Sequence, residues 1–176
     1  MTRYKEYSNN ITPAVPYLLL IDAEGYQAFT NAGEFHTWDT SIVQTNNFTF
    51  TVGTNKVFLD TNSSGLFKVT YNCSYGLGQG GGDVITTSLY KNGVEITGSR
   101  VQDMITIDEA DIVSQSSTFV LFLSKGDSVQ VRTVVGVGTI ALSQANTSRI
   151  LIEFIPMHGG NNGSGGRVDY KGAIRR

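Results

Sequence analysis

A single cysteine, Cys73, stands among the 176 residues, so no disulfide can form within the chain. Charge is also scarce: Asp, Glu, Lys and Arg make up 16% of the sequence, against about a quarter in an ordinary soluble domain. The net charge of −2 gives no sign of a basic surface for nucleic acid or for an anionic membrane. Two histidines and one cysteine are too few for a zinc site. No stretch approaches the ~20 apolar residues of a membrane-spanning helix. The opening Met1-Thr2-Arg3-Tyr4-Lys5-Glu6 does not read as a secretory signal, and the apolar run Tyr17 to Ile21 stops at Asp22 without a cleavage pattern. Synthesis in a cytoplasm is the expectation.

What the chain has instead is alternation. In Ser64-Gly65-Leu66-Phe67-Lys68-Val69-Thr70-Tyr71-Asn72-Cys73, the residues Phe67, Val69, Tyr71 and Cys73 fall on one side and Lys68, Thr70 and Asn72 on the other. That is the period of a strand with one buried face, and it makes Cys73 a buried thiol. Further strands are expected at Ser41–Gln44, Asn47–Val52, Lys56–Asp60, Gly65–Tyr75, Val84–Lys91 and Val94–Gly98, then at Ser117–Ser124, Ser128–Val135, Gly138–Ala145 and Ser148–Pro156. Their spacing of about ten residues is that of an all-β sandwich or barrel. Asn92-Gly93 between β-rich flanks predicts a type I′ hairpin, because both residues tolerate positive φ. Lys125-Gly126-Asp127 predicts a second tight turn. No helix is expected, and Asp108-Glu109-Ala110-Asp111 reads as a single turn or a loop.

Three regions follow. Residues 1–35, with Pro13 and Pro16, read as an extended N-terminal arm, 36–157 as the β domain, and 158–176 as a Gly-rich linker and basic tail. Five glycines fall within residues 159–166, the composition of a flexible tether. Beyond them lie Arg167, Tyr170, Lys171, Ile174, Arg175 and Arg176, candidates for a basic, partly apolar anchor.

Several patterns that suggest chemistry have plainer readings. Gly76-Leu77-Gly78-Gln79-Gly80-Gly81 fits G-x-G-x-x-G after a strand, but the next segment also reads as a strand. No helix N-terminus follows to hold a pyrophosphate, and a flexible glycine loop is expected. Gly126-Asp127-Ser128-Val129 matches a Gly-Asp-Ser nucleophile block, yet a serine nucleophile needs a histidine base, and only His36 and His158 exist. A hairpin turn is the plainer reading. His36, beside Trp38, is expected to be a packing or interface residue. Asp103, Asp108, Glu109 and Asp111 are oxygen donors suited to calcium, although their spacing is not that of an EF-hand and a solvated acidic loop accounts for them. No catalytic residue and no cofactor is assigned.

The segment Ser64 to Tyr71 resembles the Gly-x-Tyr-x-Phe-x-(Phe/Tyr) strand of the C1q and tumour-necrosis-factor-like jelly rolls. Asn92-Gly93, Gly98-Ser99, the Leu123 to Val129 hairpin and the Ile- and Leu-rich run Ser148 to Pro156 continue that order. The resemblance spans about residues 36–157. It departs at Phe67, Val69 and Leu59, where the family prefers Tyr, Phe and Phe, and no collagen-like stalk precedes the domain. The mammalian complement branch is therefore disfavoured. Trp38-Asp39 and the segment Thr45 to Phe50 are more similar to C1q-like domains of phage and other viral structural proteins. The resemblance implies an antiparallel jelly-roll sandwich and threefold assembly as a homotrimer. It makes Tyr71, Tyr75, Phe119 and Phe154 candidates for the trimer interface or the core, and it allows calcium. The function it implies is a non-enzymatic virion protein, decorating the capsid exterior or forming a head fibre, with the major capsid protein or other virion proteins as partners. The alternative is an adhesin whose loops, Tyr75–Asp83 and Asp103–Ser116, contact a host-surface receptor or glycan.

Overall fold

The computed structural model describes residues 16–45, 47–60, 64–80, 82–105 and 112–156. In chain order the strands are β1 (Tyr17–Ile21), β2 (Ala28–Phe29), β3 (Glu34–Phe35), β4 (Thr40–Gln44), β5 (Phe48–Phe50), β6 (Val57–Leu59) and β7 (Gly65–Gln79). They continue as β8 (Asp83–Lys91), β9 (Val94–Glu95), β10 (Val101–Ile105), β11 (Ile112–Leu123), β12 (Ser128–Val135), β13 (Ile140–Ser143) and β14 (Arg149–Phe154). No helix occurs among the described residues.

The strands form two antiparallel sheets. The front sheet runs β4-β1-β14-β7-β11, and the far end of β7 pairs with β13, which in turn pairs with β2. The back sheet runs β10-β8-β12-β6-β5, with β3 on β12 and β9 on β8. Alternation decides what lies between them. Phe67, Val69, Tyr71, Cys73 and Tyr75 of β7 point inward with Leu18, Leu20, Ile150 and Ile152. They meet Ile85, Leu89, Val129, Val131 and Val135 of the back sheet. Each such side chain contributes roughly 1.5–3 kcal/mol through removal from water.

The interior also holds a polar knot. The Tyr75 hydroxyl lies 2.9 Å from His36 Nε2, 2.8 Å from Thr87 Oγ1 and 2.7 Å from Thr133 Oγ1. It thus ties β7 of the front sheet to β8 and β12 of the back sheet. His36 is fully buried, stacked on Trp38 at 5.5 Å and tilted against Phe29 at 4.5 Å. Burial pushes its pKa from 6.5 down to about 3. His36 is therefore a neutral packing residue of a single chain.

The tight turns form as expected. Asn92 (φ 52°) and Gly93 (φ 78°) occupy the left-handed region that a type I′ hairpin requires. Other boundaries move. Residues 16–35 are not an arm: β1 pairs with both β14 and β4 inside the front sheet, and Leu18 and Leu20 are core residues. Only residues 1–15 of the expected arm lie outside the described residues, as do Met157 and the whole tail with its anchor candidates Arg167, Tyr170, Lys171, Ile174, Arg175 and Arg176. The adhesin reading's two contact loops are mostly strand. β7 runs on to Gln79, and β10 together with the first half of β11 accounts for residues 101–105 and 112–116. The acidic composition of 101–111 and the Ser-rich start of β11 hide these strands, whose pairing partners supply what local propensity does not.

Because neutral His36 is the buried form, its contribution to stability is complete above pH 6.5 and is lost as pH falls from 6.5 towards 3. Over that window stability should fall by up to about 1.4 kcal/mol per pH unit. Urea titrations of the native protein and of His36→Phe at pH 6.5 and 4.5 check this: the native protein should lose about 2–3 kcal/mol more than the variant. Equal losses would show that His36 does not titrate this way.

Candidate functional site

Several sequence candidates have structural roles. Tyr71 and Tyr75 are wholly buried within one chain. The Tyr71 hydroxyl donates to the carbonyls of Ser99 at 3.0 Å and Thr87 at 3.3 Å. Neither tyrosine offers a surface to a partner subunit, because both belong to the inward phase of β7. Phe119 and Phe154 are half-buried and pack against the core from its rim, Phe154 edge-on to Phe67 at 5.3 Å.

The glycine motif is a strand feature. Gly76 and Gly78 lie within β7, where β13 crosses closely. A Cβ on Gly78 would come within 2.7 Å of Leu142 Cγ, and Gly80 (φ +97°) turns the chain against Gly138 where a side chain would collide. The glycines serve close packing, and the expected flexible loop is strand β7 as far as Gln79. Ser128 is equally structural. Its backbone N–H donates to Asn92 Oδ1 at 2.8 Å, and Asn92 Nδ2 donates to Asp127 Oδ1 at 2.7 Å. Lys91 Nζ closes the cluster with Asp127 at 2.8 Å. Burial alone would raise the Asp127 pKa, but its bonds to Lys91, Asn92 and the Ser124 amide hold it down to about 2. The cluster locks the Asn92-Gly93 hairpin to the Lys125-Gly126 turn. Cys73 is buried, and burial pushes its thiol up to about 12, so it is not a nucleophile. Asp103 sits exposed on β10 and bonds its neighbour's amide, while Asp108, Glu109 and Asp111 lie outside the described residues.

A surface able to meet another molecule is the outer face of the front sheet, built from the opposite phase of the same strands. Register places Val43, Leu19, Leu151, Thr70 and Thr118 in one row across β4, β1, β14, β7 and β11. The next row is Tyr17, Glu153, Lys68 and Val120, with Lys68 Nζ 2.6 Å from Glu153 Oε2. Beyond it Leu66 stands opposite Phe122. A shallow cavity of about 360 Å³ opens here, lined by Tyr17, Leu19, Thr70, Asn72, Arg149 and Leu151. On the edge strand β11, the outward residues Ile112, Val120 and Phe122 are 59%, 56% and 54% exposed. Sequence reasoning gave attention to the aromatic phase of β7 and passed over Lys68, Thr70 and Leu151. The alternation itself held the signal, since only the phase opposite the core can face outward.

No family model matches the sequence, and no curated relative does. Solved structures match the fold. Murine APRIL at pH 5.0 superposes with a TM-score of 0.56 at 12% identity, covering 80% of this chain and 99% of that one. Eiger TNF from S. frugiperda gives 0.54 at 17% identity, over 85% and 98%. The globular domain of zebrafish complement 1qA protein gives 0.52 at 14% identity, over 81% and 99%. The fold is a C1q/TNF-like jelly roll.

If Asn92 and not Ser128 carries the locked turns, Asn92→Ala should cost about 1–2 kcal/mol more than Ser128→Ala, through lost bonds and alanine strain at positive φ. Paired denaturation curves read the difference. A larger loss for Ser128→Ala would refute the assignment.

Proposed function

We propose that this protein is a non-enzymatic assembly module: a homotrimer that decorates the exterior of a virion, as a capsid-decoration or head-fibre protein, held there by its terminal segments. The observation that carries the reading is the outer face of the front sheet. Leu19, Leu151, Val120 and Phe122 line it around the Lys68–Glu153 pair, and among the described residues Val120 and Phe122 stand more than half exposed while Leu19 and Leu151 are half-buried. A jelly roll with one apolar outer face and an exposed edge strand suits closed cyclic assembly, because each copy offers a face and an edge to its neighbours. The likeness of the fold to APRIL, Eiger TNF and complement 1qA supports a surface module over an enzyme. So does the structural use of Ser128 and of the glycine motif. The virion setting rests on the sequence similarity of Trp38-Asp39 and Thr45 to Phe50, and on the Gly-rich tether with its basic end. A short anchor on each of three chains raises effective concentration and turns weak contacts into firm attachment.

Light scattering on the purified protein should give the mass of a trimer. Val120→Glu should release monomers without unfolding them, because an unpaired carboxylate in a dry interface costs several kcal/mol. Val94→Glu, on the exposed β8–β9 hairpin, should leave the mass unchanged. A monomeric native protein would sink the assembly reading.

Deleting residues 159–176 should reduce occupancy on particles while leaving three copies per assembly. Full occupancy after this deletion and after removal of residues 1–15 would end the anchoring idea.

A further inference from the structure

The outer face of the back sheet holds a cleft that neither the core nor the front-sheet surface uses. Its volume is about 210 Å³, and it is lined by Ser88, Tyr90, Glu95, Arg100, Arg132 and Val134. That is smaller than the roughly 300–1,000 Å³ of ordinary small-molecule pockets, so it has room for one ring-sized unit. Its residues come together by register: Arg132 stands opposite Ser88 across β12 and β8, and Glu95 opposite Tyr90 across β9 and β8.

Arg132 is held in place before any ligand arrives. Its Nη2 donates to the Ala32 carbonyl at 2.8 Å, and its guanidinium lies 5.7 Å from the Phe35 ring centre and 5.9 Å from that of Tyr90. The ion pairs among the described residues are Lys68–Glu153, Lys91–Asp127 and Arg100–Glu95, so Arg132 has no carboxylate at bridging distance. Arg100 grips Glu95 through Nε at 3.2 Å and Nη2 at 3.0 Å at the rim. With two arginines and one glutamate, the cleft has one positive charge in excess. The Tyr90 hydroxyl, 3.3 Å from Glu95 Oε2 and 3.4 Å from Arg132 Nη1, joins the two ends of this set. The Ser88 hydroxyl supplies a small donor and acceptor beside Arg132, and Val134 an apolar patch.

A ligand matching these groups carries one negative charge for Arg132, hydroxyl donors for Glu95 and a C–H face for Val134 and Tyr90. A phosphate dianion would supply charge but no donor, and would meet the Glu95 carboxylate. A neutral sugar would supply hydroxyls but leave Arg132 uncompensated. We propose that the cleft binds the terminal acidic sugar of a glycan, a uronic or sialic acid residue, with its carboxylate on Arg132 and its hydroxyls shared between Glu95 and Ser88. The site is independent of assembly through the front sheet, since it lies on the opposite face of the sandwich.

Isotope-labelled full-length protein titrated with the methyl glycosides of glucuronic and N-acetylneuraminic acid, methyl glucoside and inorganic phosphate tests the proposal by amide shifts. At least one acidic glycoside should give saturable shifts at Ser88, Tyr90, Glu95 and Arg132, with methyl glucoside and phosphate at least about tenfold weaker. Arg132→Met should abolish binding. Because Arg132 also holds the Ala32 turn, Ser88→Val and Glu95→Gln provide the folded controls, each expected to weaken binding about tenfold with an unchanged melting point. Absence of saturable shifts with both acidic glycosides, equal binding of methyl glucoside or phosphate, or undiminished binding by both folded variants would overturn it.

Discussion

Strand β7 makes backbone ladders with three other strands, β11 along one edge and β14 then β13 along the other. The facing of its side chains therefore decides the facing of the whole front sheet. A shift of one residue would carry Phe67, Val69, Tyr71, Cys73 and Tyr75 out to solvent and bring Lys68 into the core. The Tyr75 hydroxyl adds a second constraint. Its short contacts to His36, Thr87 and Thr133 are satisfied only when the two sheets sit in one alignment. Apolar burial holds the sandwich together, while this polar knot specifies how the sheets are stacked.

With the inward phase spent on the core, function is left to the two outer faces, and these differ in character. The front face carries a shallow cavity and sets apolar side chains such as Leu19, Leu151, Val120 and Phe122 around one ion pair. The back face is partly covered by the segment around Phe35, and it holds Arg132 between carbonyls and aromatic rings. The first is the surface proposed for assembly, the second the cleft proposed for an acidic sugar. A jelly roll can carry both because opposite sheets share a core but no surface.

Much of this was legible along the chain. The alternation from Gly65 to Cys73, the positive-φ pair Asn92-Gly93 and the Gly-Asp turn before Ser128 each encode their structure within a few neighbouring residues. The places that misled are those where long-range pairing overrides local composition. Tyr17 to Ile21 reads as a short apolar piece near the N-terminus, yet it completes the sheet between β14 and β4, strands more than a hundred and about twenty residues away. Val101 to Ile105 looks like part of an acidic loop until β8 pairs with it. Tyr71 and Tyr75 attract attention as aromatic residues, but aromaticity alone does not tell a core from an interface. The cleft on the back sheet was illegible for a related reason: Ser88, Glu95, Arg100 and Arg132 are ordinary residues scattered between positions 88 and 132.

The sequence by itself determined the class of the fold, an all-β sandwich or barrel, because alternation and turn chemistry are local properties of the backbone and its side chains, and the jelly roll was what its resemblance to the C1q and tumour-necrosis-factor-like domains implied. It also determined that the glycine motif and the Gly-Asp-Ser block lack a helix or a histidine base beside them in the chain. Only the tertiary structure decided which phase of each strand faces inward and where β1 and β10 belong. It also decided which polar residues meet across strands, because those depend on registers between segments that the chain keeps far apart.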